Sequence, residues 1–140
     1  MTKSLNPKDI SFAVKEATST DSFALAVFFQ SNSKVFFSEE ANFTMYIDAY
    51  LRQPHSLSFV ALNSSGEDET LVNPEVVGFA NIHLIKRPRG GQVAYLGEVL
   101  VSEAWRARGV ASALVKTAVI AAKSSHCHKV VLHCPPSLVS

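Results

Sequence analysis

The chain is 140 residues long, enough for one domain around a single core and too short for two. With 47% hydrophobic and 18% charged residues it has the composition of a folded globular domain, which excludes an intrinsically disordered chain. A formal net charge of +1 gives no general attraction for nucleic acid or an anionic membrane, so an anion bound here must meet a local site.

Two cysteines, Cys127 and Cys134, are too few for a disulfide framework and point to reduced thiols in a cytoplasmic chain. Met1 to Ile10 carries polar and charged residues and Pro7 where a signal peptide would have an apolar core. The longest apolar run, around Ala118 to Ala122, is far too short to cross a bilayer.

Ile10 to Ala17 alternates weakly and runs into the polar cluster Thr18 to Ser22, which predicts a first strand and a turn. Asp21 is placed to cap a helix through Phe23, Leu25, Val27 and Phe28, apolar nearly all round and so expected to be buried. After the polar break Ser31 to Lys34, Ser38 is the expected cap of a second helix, with Glu39 and Glu40 complementing the dipole in its first turn. Phe43, Tyr46, Ile47, Tyr50 and Leu51 fall at i, i+3, i+4, i+7 and i+8, one apolar stripe expected to face the core, and Pro54 ends the helix.

Leu57 to Leu62 reads as a strand, and the polar, acidic stretch Asn63 to Pro74 as a surface loop. Val76 to Ile85 and Gln92 to Val101 are two further strands. Pro88, Gly90 and Gly91 mark a turn between them, so they are expected to pair as an antiparallel hairpin. An apolar helix over Val110 to Ala122 and a last strand over Lys129 to Cys134 follow, and a helical crossover would make the last two strands parallel neighbours. The order is β-α-α-β-β-β-α-β, an α/β fold with a mixed sheet and helices on its faces, in a single domain over residues 1–140. Pro135 and Pro136 stop the last strand.

At the junction of the fourth strand and the third helix stands R-A-R-G-V-A, from Arg106 through Ala107, Arg108, Gly109 and Val110 to Ala111. A helix start presents free backbone N–H groups and partial positive charge, and Gly109 and Ala111 leave its approach open. Arg106 and Arg108 add formal charge there, so the stretch is a frame for phosphate. It lacks the G-x-x-x-x-G-K-[ST] arrangement of a P-loop. Cys127, His128, His133 and Cys134 do not make a metal site: residues 127 and 134 would stand about 23 Å apart on one strand, with alternating orientations, whereas zinc needs converging ligands.

With Arg106, Gly109 and Ala111 at the specified positions of R/Q-x-x-G-x-G/A, the chain resembles the GNAT superfamily of acyl-CoA-dependent N-acetyltransferases. Tyr95-Leu96-Gly97-Glu98-Val99-Leu100-Val101 and Cys127-His128-Lys129-Val130-Val131-Leu132-His133-Cys134 are similar to segments of glucosamine-6-phosphate N-acetyltransferases, which carry H-I-E-D-V-V-V and C-Y-K-I-I-L-D/E-C. The resemblance implies acetyl-CoA as co-substrate, no metal, and a small-molecule amine as acceptor, with glucosamine 6-phosphate the first candidate. The N–H groups of Arg108 to Ser112 would hold the pyrophosphate. Val99, Leu100 and Val101 would offer main-chain partners to the pantetheine arm and the acyl oxygen.

Glu98 is expected to share a face with Leu96 and Leu100, an apolar setting that favours a protonated carboxyl and suits a base. Pairing with a surface cation is its other reading. Gly97, within the strand, permits a bulge or a close backbone approach. His133 stands where the resemblance puts an acid that steers the amine; it could take the amine proton or be a hydrogen-bonded histidine at a strand end. Lys86, Arg87 and Arg89 would lie in the substrate loop or be solvated turn charges.

The segment N-x-x-F-Y, whose Tyr protonates the departing thiolate in the resembled enzymes, is missing, as are their final helix and two strands, so the fold is expected to be C-terminally truncated. The last strand would then be an unpaired edge, and a homodimer is one expected outcome. A non-catalytic acyl-CoA-binding or regulatory module is the alternative function.

Overall fold

The computed structural model describes residues 11–32, 40–64 and 75–132. In chain order these form β1 (Phe12–Glu16), α1 (Ser22–Asn32), α2 (Glu40–Leu51), β2 (Ser56–Asn63), β3 (Val76–Lys86), β4 (Gln92–Val101), α3 (Val110–Ser124) and β5 (Cys127–Leu132). Short 3-10 turns cover Ser19–Asp21 and Glu103–Trp105. The expected order β-α-α-β-β-β-α-β is the observed one. Ser38 and Glu39, residues 65–74 of the acidic loop, and His133 and Cys134 lie outside the described residues.

The five strands form one sheet in the order β1-β2-β3-β4-β5. The pairs β1/β2, β2/β3 and β3/β4 are antiparallel, and β5 runs parallel to β4. Both the hairpin and the parallel crossover through α3 are therefore as read from the sequence. At the entry to β5, Gln92 Nε2 donates to Ser125 O at 2.8 Å and Gln92 pairs with Cys127, so the strand starts two residues before Lys129.

Helices cover both faces. On one, Val110, Leu114, Ala118 and Ala122 of α3 pack on Phe59, Ala61, Val77, Ala80, Ile82, Ala94 and Leu96. On the other, Leu25, Ala26 and Phe28 of α1 and Phe43 and Ile47 of α2 pack on Val60, Val76 and Phe79. These α3 residues recur at four-residue spacing, the apolar stripe of a helix lying on a sheet.

Two expectations about the first helices need correction. Asp21 does not cap α1 but closes the 3-10 turn before it: its carboxylate accepts from the Thr18 backbone N–H and from Lys15 Nζ, each at 2.8 Å. A local ion pair and the turn have claimed the oxygen a helix cap would use. Nor is α1 buried all round; Phe23 is 48% exposed and Val27 41%, because the side that packs inward is the one carrying Leu25, Ala26, Phe28 and Phe29. In α2, Phe43 and Ile47 are buried as expected, while Tyr46 of the same stripe is exposed.

The α3 layer sits tight on β3 at Gly78. A Cβ there would come within 2.8 Å of Val110 Cγ1 and 2.9 Å of Leu114 Cδ1, so only glycine lets the helix approach this closely. Gly78→Val is expected to cost about 1–3 kcal/mol of stability by overpacking. Urea unfolding checks this: the midpoint should fall with little change in slope.

Candidate functional site

Past the end of β4, Ser102 N–H donates to Val77 O at 2.8 Å and turns the chain into the Glu103–Trp105 turn. Trp105 is buried in the α3-side core. Residues 106–109 then reverse direction, with Ala107 at φ 63° and Gly109 at φ 84°. The left-handed region is open to glycine and costly for Ala107, so the turn holds strain of the kind found at ligand-binding loops. The first helical bond of α3 runs from Ala113 N–H to Gly109 O at 3.0 Å, leaving the N–H groups of Val110, Ala111 and Ser112 outside the helical ladder. No side chain caps Gly109 and no acid lies in the first turn of α3. Arg106 and Arg108 are exposed beside these donors, with the Arg108 guanidinium 5.5 Å from the centre of the Trp105 ring. Three main-chain donors and a helix dipole meet at this spot, with two arginines in the adjoining turn, so the residues present fit a bound phosphate or pyrophosphate.

β4 leads directly to that loop, and its pairing changes partway along. Against β5 the pairs run from Gln92↔Cys127 to Leu96↔Leu132, and among the described residues no partner faces Gly97 to Val101 on that side. Among the described residues nothing pairs with the main-chain groups of Val99, Leu100 and Val101 on that edge. Against β3, Ile82 pairs with Leu96 and Asn81 with Glu98, so Gly97 is an extra residue and the strand bulges there.

The bulge decides which way each side chain points. Leu96 packs on the α3 side with Ile82, while Glu98, beyond the extra residue, shares the α1/α2 side with Asn81, Phe79 and Leu100. Leu96 therefore does not enclose Glu98. The carboxylate is exposed, contrary to the apolar setting expected from simple alternation. Facing it from α2 is Tyr50, whose ring lies 6.4 Å from that of Phe79. Burial pushes the Tyr50 phenol up to about 12, helped by the negative charge of Glu98 and by Tyr46.

The basic turn lies at the other end of β4 from the Arg106–Ala111 loop, about 30 Å away along a strand of this length. Lys86, Arg87 and Arg89 are exposed, and Arg87 Nη2 donates to Tyr95 Oη at 3.2 Å. Tyr95 pairs with His83, which borders Gly97, so this basic end is linked along the α1/α2 side to the bulge. His133 cannot be placed, since it lies outside the described residues. Among those residues no group of three or more His, Cys, Asp or Glu side chains could hold a metal ion.

Sequence reasoning passed over Tyr50, Asn81 and His83. Tyr50 was absorbed into the core stripe of α2. Asn81 had the clearest signal, an amide in the middle of the apolar run Val76 to Ile82.

The raised Tyr50 pKa has a stability consequence whose sign is fixed. Between about pH 10 and about 12 the unfolded chain loses the phenolic proton and the folded chain keeps it, so stability contributed below pH 10 is lost as pH rises. Denaturation across this window should show a fall that is shallower in Tyr50→Phe. In Glu98→Gln the ultraviolet phenolate titration of Tyr50 should move downward.

The fold is that of known acetyltransferases. A ribosomal-protein-alanine N-acetyltransferase from Brucella melitensis biovar Abortus 2308 superposes with a TM-score of 0.70 at 17% identity, over 91% of this chain and 83% of that one. A glucosamine-6-phosphate N-acetyltransferase from Arabidopsis thaliana gives 0.66 at 16% identity, over 91% and 84%. An aminoglycoside N-acetyltransferase in complex with CoA gives 0.68 at 16% identity, over 96% and 84%. No curated protein sequence matches the chain significantly. Identities this low establish the fold alone. The family model described as Acetyltransferase (GNAT) family matches residues 24–138, most of the chain, and this protein belongs to that family.

Proposed function

We propose that this chain is a cytoplasmic N-acetyltransferase that uses acetyl-CoA to acetylate a small primary amine, with glucosamine 6-phosphate the leading acceptor. The observation that carries this reading is the arrangement along β4: an exposed carboxylate at a bulge, main-chain groups beside it that no described residue pairs on the β5 side, and an open helix start beyond. In a family of acetyltransferases these map onto three tasks.

The N–H groups of Val110, Ala111 and Ser112, with Arg106, Ala107, Arg108 and Gly109, would bind the pyrophosphate of acetyl-CoA. Val99, Leu100 and Val101 would pair with its amide-rich arm as an added strand and direct an N–H toward the acyl oxygen. Bound there, the co-substrate supplies an acyl group activated as a thioester. Glu98, exposed at the bulge, takes the proton from the attacking amine directly or through one water, with His133 as a second candidate. Tyr50 stays a neutral phenol on the same side. Of Lys86, Arg87 and Arg89 at the far end, Arg87, whose guanidinium reaches back to Tyr95, would come nearest to a phosphate on the acceptor. The distance between the two basic ends suits two separate anions.

Coenzyme A release measured with a panel of amines, glucosamine 6-phosphate first, tests the reading. Release should depend on the amine and fall about 100-fold or more in kcat in Glu98→Gln, the usual scale for losing a general base. Acetyl-CoA binding with no turnover of any amine would favour the non-catalytic module instead. Gly109→Val, which forces a branched residue into the left-handed region, should weaken coenzyme A binding about tenfold, near 1.4 kcal/mol, by calorimetry.

A further inference from the structure

Asn81 is fully buried in the middle of β3, and its amide is satisfied on one side only. Nδ2 donates to Ser56 Oγ at 2.9 Å, to Ser58 Oγ at 3.0 Å and to Leu57 O at 3.2 Å. A backbone carbonyl can only accept, so the Leu57 contact identifies this end of the amide as the nitrogen. Oδ1 is then the opposite end, and among the described residues it has no hydrogen-bond partner. Folded interiors rarely leave such an acceptor unused, and an orphan of this kind calls for a ligand, a water or a catalytic role.

What Oδ1 faces is the bulge. A Cβ on Gly97 would stand 3.2 Å from Asn81 Oδ1, 3.2 Å from His83 Nε2 and 3.3 Å from His83 Cδ2. The three crowding atoms all belong to side chains, and two belong to the ring of His83, which is half-buried. An imidazole turns easily about its second torsion, so the ring is a wall that can move without disturbing the sheet. Gly97 and Glu98 are exposed, whereas Oδ1 itself is buried, so an amine reaches it from the Glu98 side only as the His83 ring turns aside.

We propose that this spot seats the acceptor amine: Asn81 Oδ1 and His83 Nε2 accept N–H hydrogens from a primary amine entering over Gly97, beside Glu98. The proposal rests on the amine-acetylating reading above and names the groups that hold the nucleophile. An amide oxygen, an imidazole nitrogen and a carboxylate favour a group rich in N–H and disfavour an anion or a fully substituted nitrogen. The serines behind Nδ2 hold the amide so that Oδ1 points at the amine, which makes Ser56 and Ser58 positioning residues.

The test follows the His83 ring by NMR in the full chain, its signals assigned by their loss in His83→Gln. Ethylamine is the probe, and tetramethylammonium, equally charged but without N–H, is the control. A saturable ethylamine-dependent shift is expected, absent with tetramethylammonium and at least tenfold weaker in apparent affinity in Gly97→Ala, whose methyl group fills the spot. Should Gly97→Ala not fold, Asn81→Thr, which removes Oδ1, must show the same weakening. No saturable shift, an equal shift with tetramethylammonium, or unchanged affinity in the folded variant overturns the proposal, and water then accounts for the orphan oxygen. Amine turnover without any His83 shift would discard this inference and leave the acetyl-transfer reading standing. A specific shift without turnover would do the reverse.

Discussion

An extra residue in a strand is a small irregularity, yet the arrangement of this molecule depends on the one at Gly97. Strands alternate, so inserting a residue exchanges the faces of everything beyond it. Before the bulge Leu96 belongs to the α3 core; after it Glu98 looks toward α2. The bulge therefore takes an acid that regular alternation would put among core side chains and turns it to the open side of the sheet. Its partner Asn81 is brought into register at the same step. Glycine is what allows this, since any side chain at 97 would press on Asn81 and His83.

Stability and function are divided between the two faces. The α3 layer is apolar and close-packed, down to a glycine at 78 that admits the helix. Its start, Gly109 to Ser112, is the open end of a helix whose body is fixed by Leu114, Ala118 and Ala122. A donor array mounted on a packed helix has little freedom left to lose when an anion arrives. The α1/α2 face is looser, with Phe23, Val27, Met45 and Tyr46 left at the surface. That face also carries Tyr50, Asn81, His83 and Glu98, the side chains with polar chemistry.

Much of this was legible in the sequence, for a physical reason. Alternation in Val76 to Val101, the Pro88/Gly90/Gly91 turn and the apolar stripe of α3 are local signals, and each survived into the fold. The loop at Arg106 to Ala111 was equally plain, because charge and small residues at a strand-to-helix junction carry their own meaning. Glu98 shows the limit. Its position was found, but its surroundings were not, because a strand's faces can be assigned only when its irregularities are known. Gly97 hinted at a bulge without revealing that Leu96 and Glu98 would part company. Asp21 and Phe23 failed differently: what a cap oxygen bonds, and which side of an apolar helix meets the sheet, are settled by tertiary partners such as Lys15 and the Leu25/Ala26/Phe28 packing.

Arg108 lies over the indole of Trp105. At 5.5 Å from the ring centre the guanidinium is within cation–π reach, a contact that consumes none of its N–H donors. The side chain can thus be held by an aromatic ring and still offer its donors to an anion. Much of the rotamer freedom of a long arginine, worth about 2 kcal/mol, is given up during folding instead of at the moment of binding. A lysine in the same place would present a point charge on a swinging tether. The buried tryptophan acts as a rest for the hand of the loop, keeping it open and facing the right way before anything is there to grasp.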